Sequence, residues 1–99
     1  LLSYNVSSEV LEEIIVLEIL EECRQLIRQR ADEKEIRLNF DVSDDVESFS
    51  ADRRSIIQIL TILLVNAMKF TEQGGFVNLK ITTEDGKFIF KVSSWYTSF

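Results

Sequence analysis

The stretch LLVNAMKF, residues 63–70, decides how this chain is read. A polar amide, Asn66, stands among Leu63, Leu64, Val65, Ala67 and Met68, and Lys69 follows it by three positions. On a helix that spacing puts the amide and the ammonium on one face. Upstream, Ile56, Ile57, Ile59, Leu60 and Ile62 carry the apolar run back to Asp52, a residue type that caps helices. The pattern predicts a helix over about residues 53–69. Its apolar positions cover nearly the whole circumference, which predicts a central helix.

Outward from that helix the periods change. TEQGG, residues 71–75, ends it. FVNLKITT and KFIFKVS then flank Glu84-Asp85-Gly86, and Asp-Gly between alternating runs is a hairpin signal. Val77, Leu79 and Ile81 are expected to share a sheet face with Phe88, Phe90 and Val92. On the other side, Leu11, Ile14, Ile15, Ile19, Leu20, Cys23, Leu26 and Ile27 recur at helical spacing. With Ser7 or Ser8 as cap, Glu9, Glu12 and Glu13 in the first turns and Arg24, Arg28 and Arg30 at the far end, they predict a helix over about 8–31. Val16 and Leu17 widen its apolar stripe toward a second surface, such as a partner. Ile36, Leu38, Phe40 and Val42 alternate with polar residues as a half-buried strand does, SDDVES reads as a turn, and Phe49 is expected in a short returning strand. The order of helix, strand pair, helix and hairpin predicts an α+β two-layer sandwich, two helices on one face of a mixed sheet.

Composition narrows the function classes. The chain has 99 residues, enough for one domain, and a net charge of −6. An acidic surface repels phosphate backbones, which argues against nucleic-acid partners. No apolar run is long enough to span a membrane. Histidine is absent, so the chain has no imidazole base, zinc ligand or phosphohistidine. A single cysteine, Cys23, excludes an internal disulfide and reads as a buried apolar residue. The Asn5-Val6-Ser7 sequon carries little weight, and the acidic run Asp41, Asp44, Asp45, Glu47 lacks the glycine and spacing of a calcium loop.

ADRRSIIQILTILLVNAMKFTEQGGFVNLKI, residues 51–81, resembles the segment of sensor histidine kinases that carries the N-box of the ATP-binding domain. The shared elements are an acidic cap, Gln-aliphatic-Leu, Asn-Ala-x-Lys-Phe-Thr, Gly-Gly and a strand. The resemblance implies the Bergerat ATPase fold. It implies that Asn66 coordinates the magnesium carried by ATP and that Lys69 reaches the phosphates. A hard cation accepts an amide oxygen, and a lysine neutralises phosphate as a point charge.

Three features depart from the family pattern. Ile62, four residues before the asparagine, stands where the family commonly has a polar side chain. Ser94 stands where an adenine-binding aspartate belongs, and Tyr96 where the first glycine of the next motif belongs. The chain is expected to be a single domain over 1–99 that is incomplete at its C-terminus. These departures imply no catalytic residue in this chain and no cofactor of its own. The expectation is a degenerate kinase-derived module that binds proteins: a copy of itself, a histidine kinase or a response regulator, in the cytoplasm. The alternatives are the ATP-binding part of an active sensor kinase, with ATP and magnesium at Asn66 and Lys69, and a domain whose only task is to hold two chains together. Trp95, Tyr96 and Phe99 are expected to cover apolar surface or to anchor another chain.

Overall fold

The first helix begins later than its apolar period suggests. In the computed structural model, which describes residues 11–85 and 87–95, Glu12–Ile15 form a strand, β1, and helix α1 runs over Val16–Glu33. The predicted start at residue 8, the Ser7 or Ser8 cap and Glu9 lie outside the described residues. Glu12 and Glu13 belong to the strand and not to a first helical turn. Two causes act together: Ile14 and Ile15 are β-branched and favour extended backbone, and β3 offers them a pairing partner. Ile15 takes the N-cap place without a side-chain cap, and the first helical amide, that of Val16, donates to the Glu47 carbonyl at 3.0 Å.

Strand β2 (Arg37–Val42) follows, then β3 (Ser48–Ala51), helix α2 (Arg53–Phe70), and the hairpin strands β4 (Phe76–Glu84) and β5 (Lys87–Trp95). The returning strand at Phe49 exists, but it does not pair with β2. β3 pairs antiparallel with β1, Ile14 opposite Phe49, in a separate two-stranded sheet. The main sheet has the order β2-β4-β5, parallel between β2 and β4 and antiparallel between β4 and β5. The parallel step uses α2 as its crossover, as parallel neighbours require. The hairpin register opposes Glu84 to Lys87 across a two-residue turn, and Asp85 takes the positive φ that the turn needs.

Both helices cover one face of this mixed sheet. Val77, Leu79 and Ile81 are buried there, with Val92 and Phe90 opposite Leu79 and Ile81 in the register, as the alternation predicts. Ile19, Cys23 and Ile27 of α1 and Leu60, Leu64 and Met68 of α2 complete the core. Cys23 is fully buried; desolvation pushes its thiol above the usual cysteine value, and the Thr61 hydroxyl donates to its sulfur at 3.9 Å. Phe49 meets Phe88 at 4.3 Å between ring centroids and so ties the small sheet to the hairpin. Trp95 stacks on Phe76 at 5.4 Å on the face of the sheet away from the helices, where Arg37 sits over the other ring of the pair. It stays 47% exposed, so the stacking is compatible with both readings of the aromatic C-terminal residues. Tyr96 and Phe99 lie outside the described residues.

Candidate functional site

Helix α2 is two-sided. Leu60, Leu64 and Met68 are buried, and Arg54, Gln58, Ile62, Asn66, Lys69 and Phe70 are exposed. The expectation of a helix covered all round is therefore corrected. Its sequence carries more apolar residues than α1 and the sheet have surface to cover. The excess stands open, Ile62 at 40% exposure and Phe70 at 79%.

Asn66 is on the open side. The two residues that the resemblance singled out, Asn66 and Lys69, share one accessible helix face, with Ile62 one turn before the amide. Among the described residues the Asn66 side chain makes no hydrogen bond, so its amide oxygen is available to an incoming group. The Lys69 ammonium lies 5.8 Å from the centroid of the Phe70 ring, a cation–π distance. Toward the start of the helix, a shallow hollow of about 600 Å³ lies between Leu26 of α1 and Ile57, Thr61 and Ile62 of α2. Ser94 is exposed near the end of β5, opposite Val77 in the register.

What holds this face in place was not legible as a motif. The Lys34 ammonium, just past α1, donates to the Met68 carbonyl at 2.8 Å and to the Lys69 carbonyl at 3.1 Å. These carbonyls end the helix, where a cation is favourable, and the Met68 carbonyl also accepts the Thr71 amide at 3.3 Å. The Lys34 carbonyl in turn accepts the Gly74 amide at 3.0 Å. One residue thus fastens the end of α1, the end of α2 and the following turn. Its only sequence signal was a lysine after a helix, which is commonplace. The two glycines serve the same turn. Gly74 has φ 82°, and a Cβ on Gly75 would overlap Thr71 Cγ2 and stand 2.9 Å from the Glu72 carbonyl. At the other end of the helix, Arg53 pairs with Glu22 of α1, and the Ser55 hydroxyl donates to the Asp52 carboxylate at 2.6 Å. Asp52 is the N-cap residue as expected, but its carboxylate does not bond the helix amides.

The chemistry open to this face is limited. Around Ile62 it offers the Asn66 amide oxygen and the Lys69 ammonium, which fit a cation carried on a phosphate and the phosphate itself, with Gln58 and Arg54 further toward the helix start. No carboxylate or imidazole lies on it to accept a proton. Among the described residues no group of three or more carboxylate or thiol side chains is placed to hold a metal, and no helix is long and apolar enough to cross a membrane.

No protein-family model matches the chain. An uncharacterized sensor-like histidine kinase of Rhizobium meliloti (strain 1021) is 37% identical over 75 residues, which cover 76% of this chain and 14% of that protein. Among solved structures, the nucleotide-free catalytic domain of histidine kinase ThkA superposes with a TM-score of 0.78 at 22% identity, over 86% of this chain and 58% of that one. ThkA in complex with the response regulator protein TrrA gives a TM-score of 0.75 at 23% identity, over 85% of this chain and 25% of that one. The chain spans only 8–16% of the length of the curated kinases it matches.

Proposed function

From a chain with the partial Bergerat fold of a histidine-kinase ATPase domain, and with sequence relatives among the sensor kinases of two-component signalling, we propose a degenerate module that acts by binding proteins and not by phosphoryl transfer. The observation that carries this reading is Ile62. It lies on the same open face as Asn66 and Lys69 and is 40% exposed, so core packing does not account for it. An aliphatic side chain there neither binds a cation nor takes a proton, and it stands beside the groups that would meet a nucleotide. Ser94 supports the same reading, since a neutral hydroxyl is a weaker partner for an exocyclic amine than a carboxylate is. The partners in this reading are a second copy, a histidine kinase or a response regulator. ThkA, which shares the fold, has been crystallised with such a regulator.

Asn66 favours a second reading. An exposed amide without an internal partner is what a ligand-facing residue looks like. In this alternative the chain is the ATP-binding part of an active sensor kinase. Asn66 would hold the magnesium that ATP carries, and Lys69 would hold the phosphates. The nucleotide would supply the phosphoryl group to a histidine elsewhere. Calorimetric titration with ATP and magnesium separates the two. The first reading expects no saturable binding below about 100 μM, a threshold of roughly −5.5 kcal/mol. Tighter binding that Asn66→Ala abolishes establishes the second reading.

A further inference from the structure

The charge of this molecule is unevenly spread. Residues 11–22 and 41–51 hold nine of its 17 acidic residues and none of its 11 lysines and arginines. The fold brings these two segments together, because β1 pairs with β3 and the turn at 43–47 packs at the start of α1. Between them is a groove of about 470 Å³. Ile15, Leu17 and Val42 supply its apolar lining, and Glu13, Asp44 and Glu47 its acidic rim. Leu17 is 71% exposed and Ile15 46%, although both sit where α1 starts, a place that in a solvated helix is polar. Leu11, also exposed, continues the apolar surface along the chain. Glu21 and Glu22 pair with Arg24 and Arg53, but among the described residues the rim carboxylates Glu13, Asp44 and Glu47 form no ion pair.

We propose that this groove is a docking site for a protein segment that is amphipathic and basic, an apolar ridge flanked by lysines or arginines. The charge pattern selects this occupant. The apolar lining rewards burial of leucine-sized side chains, and a rim whose charged residues are all acidic attracts a cationic flank while repelling acidic proteins, anionic lipid and nucleic acid. A second copy of this chain is a poorer match, because its own exposed apolar residues at this end are ringed by acids. The proposal extends the protein-binding reading but uses other residues. Nucleotide titration tests the open face of α2, and the groove is tested separately, so either can fail alone.

The probe is a fluorescein-labelled helical peptide of leucine and lysine, about 14 residues or four turns long, with a leucine–glutamate counterpart as control. Fluorescence anisotropy with the full chain is expected to show saturable binding of the basic peptide and none of the acidic one. Leu17→Ser and the pair Asp44→Lys with Glu47→Lys are each expected to weaken binding at least about tenfold, equivalent to ~1.4 kcal/mol. Circular dichroism checks that the variants fold; all three positions are exposed, and Ile15→Ser serves as a second apolar variant. Three outcomes overturn the proposal. One is the absence of saturable binding to the basic peptide. Another is binding that the charge reversals weaken but neither Leu17→Ser nor Ile15→Ser changes, which is bulk attraction. The third is a concentration-dependent dimer, dissolved by Leu17→Ser in sedimentation, which gives the groove to a second copy.

Discussion

Leu64 and Ile62 are two residues apart on α2, equally apolar, and differently placed: the first is fully buried against α1 and the sheet, the second is 40% exposed beside Asn66. The same holds along the whole helix, Leu60, Leu64 and Met68 on one side and Ile62, Asn66 and Phe70 on the other. The difference teaches that hydrophobicity identified the helix but not its orientation. One face is held by packing, and the other is free to carry whatever chemistry its side chains allow.

The sharpest way to break this comparison is to truncate one residue on each face. Leu64→Ala is expected to cost about 2–5 kcal/mol, because it removes buried contacts and leaves a cavity. Ile62→Ala is expected to cost under about 1 kcal/mol. Urea midpoints of the two variants decide it, and comparable losses would mean that the open face is covered after all. The turn that ends α2 comes next in size. Gly75→Ala forces a Cβ against Thr71 and the Glu72 carbonyl and is expected to cost about 1–3 kcal/mol, read in the same denaturation experiment.

Lys34 sharpens the comparison from outside the helix. Lys34→Met keeps the aliphatic stem but removes the donor to the Met68 and Lys69 carbonyls, with an expected loss of about 1 kcal/mol given the partial exposure of the site. Amide exchange is expected to quicken at Thr71 and Gly74, whose amides bond the Met68 and Lys34 carbonyls, and to stay unchanged in the middle of α2. The smallest effect lies far from α2. The Ser43 and Thr83 hydroxyls donate to Asp45 and hold its carboxyl below the ordinary value of 3.8. A depressed folded value contributes stability that is fully present above the unfolded value and is lost as the pH falls through the folded one. Thermal melts below about pH 4 are therefore expected to lose a small increment that is absent in Asp45→Asn.

The sequence was most legible where one period ran without interruption. The alternation of β4 and β5 and the Asp-Gly turn between them gave the hairpin and its buried face. The Asn-Ala-x-Lys-Phe-Thr pattern gave the likeness to histidine kinases and put Asn66 and Lys69 on one exposed helix face. It failed at Glu12–Ile15, where a helical spacing of apolar residues coincided with a β-branched run and the extended form prevailed because β3 offered it a partner. It also failed on what surrounds Asn66, since the flanking leucines suggested burial and only one side of the helix is covered. Leu26, counted in the buried stripe of α1, lies exposed beside Ile62 for the same reason.

By itself the sequence determined every element but β1, the two-layer arrangement and the residue types available to any site, because periodicity, turn chemistry and composition are local properties. Only the tertiary structure decided which face of α2 is open, that Lys34 fastens its end, and that two acidic segments 30 residues apart form one groove with an apolar lining. Those outcomes depend on how much surface the neighbouring elements have to cover, and no single segment encodes the surface of another.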